Sequence, residues 1–214
     1  MERIICIIIG YVFGLFQTGY LLGKWNHIDI RSQGSGNAGS TNALRVMGVK
    51  AGLLTLFGDC MKCVLAVLIC RAVFVGSHAD ELPLLGLYAG VGATLGHNYP
   101  FWLKFKGGKG IAVLAAVYIT TNPWMTLTGI IVFLGIVAVT RYVSAGSLAV
   151  SLLFVIEVIV CGQMGVFSLT GSLLYEMYAL AVFIGALAWW RHRANIVRLV
   201  HGTENKFGSK KKDA

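Results

Sequence analysis

The chain has 214 residues, 57% of them hydrophobic and 13% charged, with a mean hydropathy of +0.74 and a formal net charge of +9. Soluble domains carry about 25% charged residues, and a water-soluble fold of this composition would expose an aggregating apolar surface, so that class is excluded and lipid is the expected solvent. The basic residues lie between and after the apolar runs rather than along one stripe, which argues against nucleic acid as a partner and for basic loops at a membrane face.

Apolar runs cover 4–22, 51–75, 82–99, 111–121, 124–140, 145–161 and 172–190. At about 20 residues per span the expected fold is an all-α membrane protein, a single bundle of about seven transmembrane helices forming one domain over 1–214. The first run is too long for a signal-peptide core and no small-residue cleavage site follows it, so it reads as a retained helix. The run at 111–121 is short, and its helix is expected to start there or one turn earlier; Asn122-Pro123 turns the chain out of it. Of the 18 Lys and Arg residues, 15 fall in the loops after odd-numbered spans and in the tail. The positive-inside rule then places the N-terminus outside and the C-terminus in the cytoplasm. The three lysines at 210–212 suit contact with anionic headgroups. Cys60-x-x-Cys63 sits among apolar residues and reads as packed free thiols, and no metal site is expected. Asp59 and Lys62 share one face of the second span. An unpaired charge there is costly, which leaves a structural ion pair or a proton or ion path as readings.

Four segments on the predicted cytoplasmic side are richer than connectors require. The first, Ser35-Gly36-Asn37-Ala38-Gly39-Ser40-Thr41-Asn42-Ala43-Leu44-Arg45-Val46-Met47-Gly48, combines glycines, hydroxyls, amides and a fixed cation, the composition of a phosphate cradle. The second runs from Gly96-His97-Asn98 through alternating aromatics and lysines, including Lys104, to Gly107-Gly108-Lys109-Gly110 at a helix start, a potential second anion cradle. It lacks the upstream glycine and the Ser/Thr of a Walker loop, so ATP is not expected. The third is Arg141-Tyr142-Val143-Ser144. The fourth, in the basic tail over 191–214, repeats His192, Asn195 and Arg198 every third residue, one face of an amphipathic helix, and continues to Gly202 and Glu204. Together they suit one cationic pocket for a phosphorylated molecule that meets the membrane.

In these four segments, their order and their spacing, the chain resembles the bacterial acyl-phosphate:glycerol-3-phosphate acyltransferases, over nearly its whole length. Asp59-x-x-Lys62 is similar to a feature of that family; Val113 departs from it, standing where a Thr or Ser is expected. The resemblance implies acyl transfer from acyl phosphate to the 1-hydroxyl of sn-glycerol 3-phosphate, giving lysophosphatidic acid and inorganic phosphate, with no cofactor, by a monomer of the bacterial inner membrane whose active site faces the cytoplasm. On that basis Ser35, Arg45, Lys104, His192 and Asn195 are expected in catalysis. Asn37, Gly39, Ser40, Thr41, Asn42, His97, Lys109, Ser144 and Arg198 are expected to bind substrate phosphate. No His is followed five residues later by Asp, and no G-x-S-x-G elbow occurs, which disfavours a His-Asp base and a covalent acyl-enzyme. His192 lies among arginines and is expected to donate a hydrogen bond as neutral imidazole while a substrate phosphate oxygen takes the proton. A transporter or channel for phosphorylated metabolites is the competing reading, but no half-to-half repeat is visible and the polar residues crowd one end rather than the midplane.

Overall fold

In lipid every backbone N–H and C=O has to be satisfied within the chain, and these apolar runs do so as helices. The computed structural model describes residues 1–208; the lysines at 210–212 lie outside the described residues. The helices are α1 (Glu2–Gly14), α2 (Thr18–Trp25), α3 (Ser40–Met47), α4 (Val49–Phe74), α5 (Leu82–Asn98), α6 (Ile111–Thr121), α7 (Pro123–Thr140), α8 (Val143–Gln163), α9 (Gly171–Arg191) and α10 (Arg193–Val200). No strand occurs among the described residues. Five segments are long and apolar enough to cross a membrane: Glu2–Trp25, α4, α7, α8 and α9. The 17-residue α5 rises roughly 25 Å. At 11 residues α6 rises only about 16 Å, well short of a 30 Å hydrocarbon core. It starts at Ile111 and no earlier, because Gly110 has φ +86° and cannot extend it.

The bundle is organised around α5, which is buried on nearly every face and contacts α1, α4, α6 and α9. Its closest neighbour is α1. At this crossing Gly10 and Gly14 face Gly92 and Gly96, and a Cβ added to any of the four would strike a backbone carbonyl of the other helix. Without a hydrophobic effect between helices in lipid, this small-residue approach supplies the packing.

The first apolar run is not one helix. The chain breaks at Leu15, Phe16 and Gln17, and three side chains satisfy the carbonyls released. Trp102 Nε1 donates to Leu15 O at 3.0 Å, Lys62 Nζ to Phe16 O at 2.6 Å, and Gln17 Nε2 to Gly14 O at 3.1 Å. Gln17 also reaches the carbonyls of Gly96 and His97 at the end of α5. At the other end of the bundle the charges pair among themselves, with Arg3 bound to Glu81 and Glu176, and Tyr88 to Glu176. Large side chains such as Ile8, Phe57, Ile131 and Ile156 point outward, as lipid-facing positions require.

The α1–α5 crossing yields a test. Gly10→Val drives a branched side chain into the Ala89 carbonyl, and overpacking of this kind costs about 1–3 kcal/mol or more. Thermal unfolding in detergent is expected to show a clear loss of stability. Gly135→Ala, at a position with nothing within 4 Å, is expected to show none.

Candidate functional site

A cavity of about 510 Å³ opens at the end of the bundle that carries the basic loops. Ser35, Asn37, Gly39, Ser40, Thr41, Asn42, Arg45, His97, Lys109, Ser144, His192, Asn195 and Arg198 all line it, so residues from all four segments meet on one space. Lys104 does not. It lines an adjoining pocket with Arg31, Lys106 and Arg191, and the two spaces share Ser35, Asn37 and Lys109. Lys104 and Phe105 both adopt φ near +60° (55° and 60°). Two successive non-glycine residues in the left-handed region cost of order 1–3 kcal/mol each, a strain that often marks functional segments.

The first segment supplies donors in two different ways. Asn42 is nearly sealed, and its amide is fully occupied: Oδ1 accepts from the Ser35 N–H at 2.8 Å, and Nδ2 donates to the carbonyls of Ile30 and Gln33, both at 3.0 Å. It therefore shapes the loop and has no donor left for a phosphate, contrary to the sequence expectation. Gly34 and Gly36, with φ +61° and +70°, carry the chain over it. The Ser35, Ser40 and Thr41 hydroxyls, by contrast, form no hydrogen bond within the described residues. Arg45 has no ion-pair partner there. The N-terminus of α3 has Gly39 at its cap and no side-chain acceptor on its first N–H groups, so these donors are free for an anion.

The glycine-rich second segment is not a second cradle. The Gly107 and Gly108 N–H groups donate to Asn98 O at 3.2 Å and His97 O at 3.1 Å. Their carbonyls accept from the Arg191 guanidinium at 2.7–3.1 Å. Arg191 also stacks over Tyr99 at 5.1 Å. What this segment presents to the cavity is Lys109, whose Nζ donates to Asn195 Oδ1 at 2.5 Å. Burial, with Arg198, Arg191 and Arg45 nearby and only Glu204 opposing them, lowers the Lys109 pKa to about 8.

In the tail, α10 turns the predicted face inward. Asn195 Nδ2 and Arg198 Nε donate to the two oxygens of Glu204 at 2.9 and 2.7 Å. Phe207 and Arg141 exchange backbone and side-chain hydrogen bonds that pin the segment carrying Glu204 over the cavity. His192 is buried and its Nδ1 is 2.8 Å from the Ala188 carbonyl. A carbonyl only accepts, so Nδ1 carries the proton and Nε2 is left as an acceptor. The expectation that His192 donates to a ligand is corrected accordingly. Burial, and then the Lys109 charge, lower its pKa to about 4, so it stays neutral. Ser144, near the start of α8, keeps a buried hydroxyl without a partner. Glu204 and Arg191 were outside the expected site set, although both stand within or beside a recognisable motif. Nothing in their spacing signals that one would neutralise the cavity and the other clamp its glycine loop.

Beyond these polar groups the same cavity runs along α7, where Thr126, Gly129, Ile130, Phe133, Leu134 and Val137 recur every three or four residues. That face extends for roughly 16 Å of helix. Ile119, Ile130 and Leu134 are each more than half exposed, so the apolar arm reaches the lipid-facing surface.

Fold and cavity define a helical membrane protein built for an amphiphile, with donors and cations at one end and an apolar arm at the other. The model of the glycerol-3-phosphate acyltransferase family matches residues 4–202. The chain is 40% identical to the glycerol-3-phosphate acyltransferase of Clostridioides difficile, covering 97% of each chain, and 37% identical to that of Thermoanaerobacter pseudethanolicus over 98% of each. It also superposes with a TM-score of 0.80 and 32% identity on the crystal structure of PlsY, an integral membrane glycerol 3-phosphate acyltransferase in its glycerol 3-phosphate form, covering 97% of this chain and 96% of that one. A second PlsY structure, the lysophosphatidic acid form, gives a TM-score of 0.77. This chain belongs to the glycerol-3-phosphate acyltransferase family.

The position of Lys109 sets a pH dependence. A lysine is cationic only below its pKa, so the charge facing the cavity is lost as pH rises through about 8. Binding of glycerol 3-phosphate, measured calorimetrically, is expected to weaken above that pH by up to about tenfold per unit. Lys109→Arg, which stays charged, is expected to flatten that limb.

Proposed function

We propose that this chain transfers a fatty acyl group from acyl phosphate to the 1-hydroxyl of sn-glycerol 3-phosphate, giving lysophosphatidic acid and inorganic phosphate, as a monomer in the bacterial inner membrane. The observation that carries this reading is the single cavity with unspent donors and cations at one end and an apolar arm at the other. It suits a product with a phosphate head and an acyl chain.

The attacking hydroxyl oxygen bonds to the acyl carbon, the bond from that carbon to the phosphate oxygen breaks, and the hydroxyl proton passes to a phosphate oxygen. A mixed anhydride is already activated, so the protein mainly positions it and stabilises charge. Ser35, Asn37, Gly39, Ser40, Thr41 and Arg45 hold one phosphate, with Ser144 at the wall. Lys109, Asn195 and Arg198 hold the other, displacing Glu204, and Lys104 in the adjoining pocket attracts the incoming dianion. His192 Nε2 accepts the hydrogen bond of the glycerol hydroxyl and orients it. With a pKa near 4, His192 is a weaker base than a phosphate with a second pKa near 6, which favours the phosphate as proton acceptor.

Purified protein in detergent is expected to release phosphate from acyl phosphate only when glycerol 3-phosphate is supplied; release that ignores the acceptor would overturn the proposal. Arg45→Ala and Thr41→Ala each remove one donor and are expected to lower turnover by about 10²–10³. Folded variants with near-normal turnover would leave the first loop a structural turn.

The same reading has seven spans, α5 and α6 included, with the N-terminus outside, the C-terminus in the cytoplasm and the cavity facing the cytoplasm. The distribution of basic residues supports it. Cysteines placed at Ser35 and Lys104 in a cysteine-depleted background are expected to react with an impermeant label from the cytoplasmic side only. Ser209 would report the same side for the tail, at a position outside the described residues.

A further inference from the structure

Asp59, Lys62 and His97 form a buried cluster between α4 and α5, of which Asp59 and His97 line the cavity. Lys62 Nζ is 2.6 Å from the Phe16 carbonyl, 2.9 Å from Asp59 Oδ1 and 2.8 Å from His97 Nδ1. The carbonyl and the carboxylate can only accept, and an ammonium has three protons. Asp59 as counter-ion and three partners around Nζ leave a buried ammonium paired and fully hydrogen-bonded, the arrangement in which a buried charge is retained, so its third proton goes to His97 Nδ1. That nitrogen is therefore unprotonated, and the proton of the neutral ring sits on Nε2. Nε2 has no acceptor among the described residues, yet it is not sealed among the buried unpaired atoms. It lies beside Gly108, at a distance only a glycine permits, and His97 itself lines the cavity.

We propose that Lys62, held charged by Asp59, is a positioning residue that fixes His97 as the Nε2–H tautomer, so that this ring donates a hydrogen bond to an anionic oxygen of the bound substrate. The proposal rests on the acyltransferase reading for its effect on rate, but its structural half does not. His97 then has the opposite role to His192. Its ring offers a donor where His192 offers an acceptor, and it is unavailable as a base because its lone pair is already occupied. Lys62 thereby acts on the site through His97, from behind the residues that line the cavity. Thr18 Oγ1, at 3.2 Å from Asp59 Oδ1, completes the same support.

Two measurements test this. In uniformly ¹⁵N-labelled wild-type protein in detergent, the ring nitrogens of His97, assigned by their loss in His97→Gln, are expected to report the neutral Nε2–H tautomer. An Nδ1–H tautomer or an imidazolium at neutral pH would overturn the proposal, whatever reaction the protein catalyses. In steady-state assays Lys62→Met is expected to lower kcat by about ten- to a hundredfold in the wild-type background, a coupling within the range shown by contacting residues. In a His97→Gln background, where the amide keeps a donor without needing Lys62, the same change is expected to cost little. Equal losses in the two backgrounds would make Lys62 merely structural. Should Lys62→Met fail to fold, Asp59→Leu/Lys62→Met, which leaves no unpaired buried charge, serves in the same cycle. Absence of any turnover in wild-type protein would instead count against the acyltransferase reading and leave the tautomer result standing.

Discussion

The structure depends on how closely α1 approaches α5. Glycines on both helices let backbone meet backbone, and α1 stops at Gly14, the last glycine of this contact. At Leu15 to Gln17 the helix gives up its own hydrogen bonds, and in lipid each freed carbonyl needs a donor. Trp102, Lys62 and Gln17 provide them. Each of these also belongs to the neighbourhood of the cavity: Trp102 through the basic loop, Gln17 through the carbonyl of His97, and Lys62 through its ring. The packing contact and the helix break thus adjoin, and the cation that meets the break at Phe16 also meets a cavity histidine.

The two histidines illustrate how the same side chain acquires opposite roles from one neighbour each. His192 gives its Nδ1 proton to the Ala188 carbonyl one turn back. His97, in the proposed tautomer, accepts a hydrogen bond at Nδ1 from Lys62. Both rings are buried at the cavity, and in each case the atom facing away from substrate determines what the other nitrogen can do. Both remain uncharged, His192 because burial and the Lys109 cation oppose its protonation, so neither ring adds a positive charge to a cavity that already has Arg45, Lys109 and Arg198.

Charge in that cavity is balanced rather than maximal. Glu204 bridges Asn195 and Arg198, which occupies with a carboxylate the donors that would otherwise face each other unscreened. An incoming phosphate has to take over donors already in use there, whereas the first loop and Arg45 offer donors that are unspent. This asymmetry gives the two phosphate positions different costs of binding, a distinction that follows from hydrogen-bond accounting alone.

Much of this was already determined by the sequence. Hydropathy required lipid and helices, because a chain this apolar has no other stable solvent, and the alternation of basic and neutral loops grouped the polar segments at one end. The count of donors in segment 35–45 and in the tail indicated an anion site. Only the tertiary structure decided which donors remain available. Asn42 spends its amide on its own loop, Gly107 and Gly108 spend their N–H groups on the end of α5, and Arg191 and Glu204 join the site through partners 83 or more and nine or fewer residues away. The break in the first span was not expected either: Gln17 and Thr18 interrupt the apolar run there, but only the structure shows donors from other segments meeting the freed carbonyls. Sequence lists which groups can donate or accept; the direction each one points is set by contacts between helices distant in the chain, and that direction decides what is left for a ligand.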